Sequence, residues 1–198
     1  LARDRIGIKP LYYGTAGGRF MFASELKGLL QLPEVDRRLN WQALAHLLAY
    51  GTTPPGESII DGIHKLEPGH RLRLDPKHEP VIERYWELQF RPNDRRSEAE
   101  TVEELRARLE ESVRYHMVSD VPVGAFLSGG IDSSGVVASM AAQSTSRIKT
   151  FSIGFREQEF DELPYARLIA QRFGTDHHEL VLEPDVMDIL DHLAWDLG

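Results

Sequence analysis

No cysteine occurs in the 198 residues of the chain. Disulfides, thiolate metal sites and a cysteine nucleophile are therefore excluded within it. No apolar run approaches the roughly 18 residues of a membrane span. The opening Leu1-Ala2-Arg3-Asp4-Arg5 is charged and has no apolar signal-peptide core. Together these absences predict a cytoplasmic protein without membrane contact. Cations are also scarce: 23 Lys and Arg face 31 Asp and Glu, a net charge of −8, which argues against a general nucleic-acid binder. No initiator Met is present, and the chain stops at Asp196-Leu197-Gly198 without a tail, so it reads as an internal fragment of a longer protein. Repeats and low-complexity tracts are missing as well. What remains is ordinary for a globular protein, 41% apolar and 27% charged, with room for one large or two small domains.

The chemistry concentrates in Val121 to Ser134, V-P-V-G-A-F-L-S-G-G-I-D-S-S. Val121, Val123, Ala125, Phe126 and Leu127 have the composition of a buried parallel strand. Ser128-Gly129-Gly130-Ile131-Asp132-Ser133-Ser134 follows, and then a small-residue helix from Gly135 to Ala142. Strand, glycine loop and helix form a geometry that holds phosphate. Glycines let the backbone approach an anion, the helix amides and dipole face it, and serine hydroxyls add donors. No Lys follows the glycines, so the loop is not a Walker A motif, and G-x-G-x-x-G is absent. A glycine turn with a Ser or Asp helix cap is the plain alternative. The run S-G-G-x-D-S-S resembles the pyrophosphatase loop of enzymes that split ATP into AMP and pyrophosphate.

Upstream, Leu11-Tyr12-Tyr13 and Arg19-Phe20-Met21-Phe22 predict a hairpin across Gly14 to Gly18, with Ser24 capping a short helix over 25–30. Arg3, Asp4 and Lys9 read as ordinary ion-pairing charges. Asn40 caps a helix ending at Gly51, with Trp41, Leu44, Leu47 and Leu48 on its inner face and His46 solvated. Arg71 to Asp75 alternates as a strand. His64 and His70 read as structural. Tyr85 and Trp86 could seal a domain junction. Residues 91–100 form a polar linker. Thr101 and Glu104 predict a capping box. The helix that follows would bury Val102, Leu105, Leu109, Val113 and His116 or Met117, and pair Glu110 with Arg114. Strands over 148–155 and 178–182 alternate with helices starting near Asp161 and Pro184, which predicts a parallel sheet. His177 and His178, adjacent on a strand, point to opposite faces and so predict no shared metal. Ligands in such sheets bind beyond the carboxyl ends of the strands, here Leu127-Ser128 and Ile153-Gly154-Phe155.

R-D-R-I-G-I-K-P-L-Y-Y, followed by F-A-S-E-L-K-G-L-L, resembles the late glutaminase domain of glutamine-hydrolysing asparagine synthetases, and G-I-H-K-L-E-P-G-H-R-L resembles its closing hairpin. The resemblance covers essentially the whole chain. It implies a mixed α/β and α+β organisation. Residues 1–90 would be the end of a β-rich glutaminase domain of N-terminal nucleophile hydrolase type. Residues 101–198 would be the first half of a parallel-sheet ATP pyrophosphatase domain. The implied reaction is amidation of aspartate with glutamine-derived ammonia through an acyl-adenylate. ATP would lie on Leu127, Ser128, Gly129, Gly130, Asp132, Ser133, Ser134 and Ile153, and Mg²⁺ on Asp132, whose other role would be the helix N-cap. Leu127 and Ile153 would contact the nucleotide mainly through backbone and apolar contact. Aspartate, glutamine and ATP are the implied partners, with a homodimer as candidate assembly. The glutaminase nucleophile lies outside the chain, as does the later acidic segment that would complete the metal site, so the fragment alone is expected to be inactive. Two alternatives stand beside this reading: an amidotransferase acting on a cell-envelope sugar or a β-lactam precursor, and a non-catalytic nucleotide-binding relative.

Overall fold

A computed structural model describes residues 1–75, 79–90, 95–155 and 162–182. The described residues divide into two compact units, 1–90 and 95–182.

In the first unit, β1 (Tyr12–Ala16) and β2 (Arg19–Ala23) form an antiparallel hairpin. Its turn is only Gly17-Gly18, both with positive φ (56° and 73°). That is the two-residue primed turn whose twist matches the strands, so Gly14, Thr15 and Ala16 belong to the strand rather than the loop. α1 (Leu26–Leu29) begins at Glu25 with no side-chain cap, so Ser24 does not serve as one. α2 (Trp41–Tyr50) keeps both predicted ends. Asn40 Oδ1 accepts from the Ala43 amide at 3.0 Å, and Gly51 closes it in the left-handed conformation. Its inner face is different: Ala43 is fully buried, whereas Trp41 and Leu48 are 72% and 80% exposed. His46 is half-buried, bonded to the Thr52 carbonyl and packed on Tyr50.

β3 (Ile63–Lys65) joins β1, giving the sheet β2-β1-β3, and β4 (His70–Arg73) pairs with β5 (Val81–Arg84). The segment from Gly62 to Leu72 is therefore not a hairpin. Its two strands go to separate sheets across the Pro68-Gly69 turn. A Cβ on Gly69 would lie 2.6 Å from the Trp86 carbonyl oxygen, so only glycine allows that approach. Tyr85 donates to the Arg3 carbonyl, and Arg5 lies over Trp86, which ties both aromatics to this unit. The core is Leu26, Leu29, Val35, Ile60 and Ile63.

In the second unit, α3 (Glu98–His116) starts three residues before the expected Thr101. The capping box is Ser97 with Glu100, which fits the same S/T-x-x-E pattern one turn earlier, so the helix occupies the last part of the expected linker. Glu110 pairs with Arg106, not Arg114. Of the apolar stripe only Val113 is buried and Met117 half-buried; Val102, Leu105 and Leu109 stay exposed. β6 (Gly124–Phe126), β7 (Lys149–Phe155) and β8 (Asp176–Leu182) form a parallel sheet in that order. α4 (Ile131–Gln143) and α5 (Leu163–Phe173) are the crossovers. Leu127, Val137, Ala166 and Ala170 share one core cluster, and Val113, Met140 and Ile148 another. The helices thus cover one face of the sheet. β6 is an edge strand with its other face open among the described residues. That is why Phe126 is 77% exposed while Leu127 is 2% exposed, against the expectation of a strand buried on both sides. The helix predicted from Pro184 lies outside the described residues.

Candidate functional site

The loop after β6 is shaped by its serines and glycines. The Ser128 amide donates to Ser133 Oγ at 3.3 Å, the two hydroxyls lie 3.0 Å apart, and the Gly130 amide donates to Ser128 Oγ at 3.3 Å. Ser133 Oγ also donates to the Gly130 carbonyl at 3.2 Å. A single turn is thus laced by side chains whose donors would otherwise compete for any ligand. Gly129 has φ +81°, and a Cβ there would lie 2.5 Å from Tyr165 Cβ and 2.6 Å from the Ala166 nitrogen. The loop is therefore pressed onto the start of α5, and glycine is required on both backbone and steric grounds.

Gly130 is the N-cap of α4, with no side-chain cap. Asp132 lies in the first turn, so the cap role considered for it is not observed. Its carboxylate is exposed and makes no hydrogen bond or ion pair with a described residue. The first helical bond runs from the Ser134 amide to the Gly130 carbonyl. The amides of Ile131, Asp132 and Ser133 are left as the helix's unsatisfied donors. Ser134 Oγ is buried without a hydrogen-bond partner.

A cavity of about 250 Å³ is lined by Phe126, Leu127, Ser128, Ser133, Phe151, Ser152, Ile153, Glu162 and Leu163. It brings together four of the expected site residues, Leu127, Ser128, Ser133 and Ile153. Gly129, Gly130, Asp132 and Ser134 belong to the same turn but do not line it. Sequence reasoning missed Ser152, Glu162 and the Phe126–Phe151 pair. Ser152 carried a signal: a hydroxyl in the middle of a buried strand needs a partner.

That partner is the Leu127 carbonyl, to which Ser152 Oγ donates. The ladder explains why this matters. The Asp176 amide donates to the Ile148 carbonyl and the Leu127 amide to the Phe151 carbonyl. In a parallel ladder each residue's N–H and C=O face the same side, and successive residues alternate. Even-numbered residues of β7 therefore serve β8 and odd-numbered ones serve β6. The next rung would run from the Ile153 amide to the Leu127 carbonyl. It is absent, and the Ser152 hydroxyl holds that carbonyl instead.

The donor set fits an anionic phosphate chain: three free helix amides at a positive dipole end. It also fits Mg²⁺ to the extent that this ion needs only one or two carboxylates besides phosphate oxygens and water. Asp132 offers one, and no cluster of three metal-ligating side chains exists among the described residues.

Elsewhere the charges expected to form ion pairs hold backbone. Arg3 donates to the carbonyls of Lys9, Leu66 and Gly7 at 2.9, 2.7 and 3.1 Å. Asp4 accepts from the amides of Ile6, Ile8 and Lys9. The Ile8 amide foremost, with the others, holds the Asp4 carboxyl below its ordinary pKa. R-D-R-I-G-I-K is thus a loop closed on itself and stapled to Leu66. His177 and His178 diverge as expected: His177 Nδ1 meets Thr150 Oγ1 at 2.9 Å, and the His178 ring stacks on Phe151. His70 bonds the Pro68 carbonyl and His64 packs on Tyr13.

Residues 104–198 match the asparagine synthase family, and residues 1–86 match a glutamine amidotransferase domain. The chain is 37% identical over 195 residues to glutamine-hydrolysing asparagine synthetase 1 of Bacillus subtilis, covering 98% of this chain and 30% of that protein. It is 34% identical over 207 residues to glutamine-hydrolysing asparagine synthetase 3 of the same organism, covering 97% and 33%. It is also 34% identical over 203 residues to amidase chyE of Penicillium rubens, covering 94% and 30%. The chain spans about a third of the length of these curated relatives. Among the described residues no helix is long and apolar enough to cross a membrane.

Proposed function

Because the chain belongs to the glutamine-hydrolysing asparagine synthetase family, we propose that the whole protein converts aspartate to asparagine with ATP and glutamine-derived ammonia. Residues 1–90 would be the end of its glutaminase domain, of N-terminal nucleophile hydrolase type. Residues 101–198 would begin its synthetase domain, a parallel-sheet ATP pyrophosphatase. The observation that carries this reading is the S-G-G-I-D-S-S turn at the carboxyl end of β6. The unsatisfied amides of Ile131, Asp132 and Ser133 lie in that turn, and Ser133 also lines the cavity, with Leu127, Ser128 and Ile153.

In this reading the base and ribose of ATP lie against Leu127 and Ile153, where the unpaired Ile153 amide offers a backbone donor. The phosphates lie on the amides of Ile131, Asp132 and Ser133, approached across Gly129 and Gly130. Ser128 and Ser133 keep the turn open by bonding each other. Asp132 would hold Mg²⁺, which would supply neutralising charge at the leaving pyrophosphate. An oxygen of the aspartate side-chain carboxylate attacks the α-phosphorus, and the bond to the bridging pyrophosphate oxygen breaks. Ammonia then attacks the acyl carbon. The bond to AMP breaks, and the nitrogen loses a proton to give the amide. The helix amides favour the developing negative charge without reorganising.

The test is ATP–pyrophosphate exchange in the full-length protein. Exchange that depends on aspartate supports the proposal. Exchange driven by a different carboxylate supports the second reading, amidation of another acceptor, which the likeness to an amidase-named relative favours. Absence of exchange with ATP bound leaves the non-catalytic reading and rejects both.

A further inference from the structure

We propose that Ser152 is a positioning residue for nucleotide: its hydroxyl withdraws the Leu127 carbonyl from the β-ladder and so leaves the Ile153 amide free at the cavity wall. The inference rests on the nucleotide-binding reading of that cavity for its consequence, but not for its geometry.

Three observations carry it. First, the ladder phase assigns the Ile153 amide to the β6 side, one step past the last rung, Leu127 amide to Phe151 carbonyl. Second, the acceptor that would complete the next rung, the Leu127 carbonyl, is bonded by Ser152 Oγ. Third, Ser152 is buried and lines the same cavity as Leu127 and Ile153. The ladder runs one residue past the end of β6, through the Leu127 amide, and stops there. Here a side chain one residue off takes the acceptor of the next rung, and the backbone donor left over belongs to a residue that lines the cavity. The arrangement has a cost in a folded protein without ligand, because an unpaired amide beside apolar walls loses hydrogen bonding. A ligand with a ring-nitrogen acceptor, such as a purine edge, recovers it.

The Ser152 hydroxyl also fixes the direction in which the chain leaves β6. The Leu127 carbonyl is the last backbone acceptor before Ser128, and anchoring it sets where the Ser128–Ser133 pair begins. A change at Ser152 should therefore act on nucleotide affinity through two backbone groups and leave the phosphate-transfer chemistry intact once nucleotide is bound.

The experiment uses the full-length protein with Ser152→Ala and Ser152→Thr. It measures hydrogen exchange at the Ile153 amide with and without ATP, ATP affinity by calorimetry, and KM against kcat in the exchange reaction. The expected wild-type pattern is fast exchange at Ile153 that ATP slows. In Ser152→Ala the Ile153 amide is expected to be protected without ATP, because the rung to Leu127 can close. KM for ATP is then expected to rise about tenfold or more with kcat within about threefold, and Ser152→Thr should restore the wild-type pattern. Unchanged Ile153 exchange and ATP affinity in Ser152→Ala would overturn the proposal, as would an equal loss in Ser152→Thr. Failure of wild type to bind ATP would reject the nucleotide reading, while the exchange contrast without ATP still decides whether Ser152 keeps the amide free.

Discussion

Asp132 and Gly129 sit three residues apart and carry opposite kinds of constraint. The Asp132 carboxylate is exposed and holds no described partner, so it contributes nothing visible to the fold. Asp132→Asn is expected to leave the thermal midpoint of the metal-free protein within about 2 °C, as for surface changes away from special features, and to lower Mg²⁺-dependent exchange by roughly 100-fold or more. Calorimetry and the exchange assay read the two halves separately. Retained exchange would remove Asp132 from the metal. Gly129 is the reverse, a fold constraint without a reactive group. Gly129→Ala places a Cβ against Tyr165 and Ala166 at a positive φ, and is expected to destabilise the second unit by about 2–4 kcal/mol in urea unfolding. Gly135→Ala is the control: a Cβ there meets nothing within 4 Å and the residue lies inside α4, so a gain of about 0.5–1 kcal/mol is expected.

At the scale of elements, sequence signals served best where one residue type has one local use. Asn40 and Gly51 delimit α2, because capping oxygens and left-handed glycines are local chemistry. They failed where two equivalent signals compete. Ser97-x-x-Glu100 and Thr101-x-x-Glu104 both spell a capping box, and the earlier one forms. Thr101 instead donates its hydroxyl to the Ser97 carbonyl. Ser97→Ala is therefore expected to cost about 1 kcal/mol and Thr101→Ala a few tenths, by helix-cap precedent, read as the shift in urea midpoint. Pairing of strands was not legible either. β3 and β4 lie five residues apart across a turn, yet each finds its partner elsewhere, and nothing local in Ile63-His64-Lys65 names β1. Exposure along α2, α3 and β6 was also misread, since periodicity shows which residues share a face but not which face is covered.

For the molecule as a whole, acid sensitivity is the property its charges determine most directly. The Ile8 amide lowers the pKa of Asp4, the Ser97 amide that of Glu100, and the Arg167 side chain that of Glu179. A carboxylate whose folded pKa is depressed adds stability above its unfolded value and loses it as pH falls through the folded value. The thermal midpoint is therefore expected to be flat from neutral pH to about 5, then to fall below about 4, the ordinary carboxylate range. Asp4→Asn should flatten the acid limb of the first unit and Glu179→Gln that of the second. Much of the candidate site was legible, because S-G-G-I-D-S-S announces a turn, a helix start and an anion in seven residues. The part that was not legible, Ser152 and the freed Ile153 amide, depends on the alternation of a ladder whose phase only the paired strands reveal. That alternation also bears on which changes of length the chain tolerates in descent. One residue added to the Gly17-Gly18 turn changes a hairpin tip, but one added between Lys149 and Ser152 would exchange the sides served by every later residue of β7. Insertions and deletions in a library of variants should therefore survive at the tip and vanish from 149–153, even where single substitutions there are accepted.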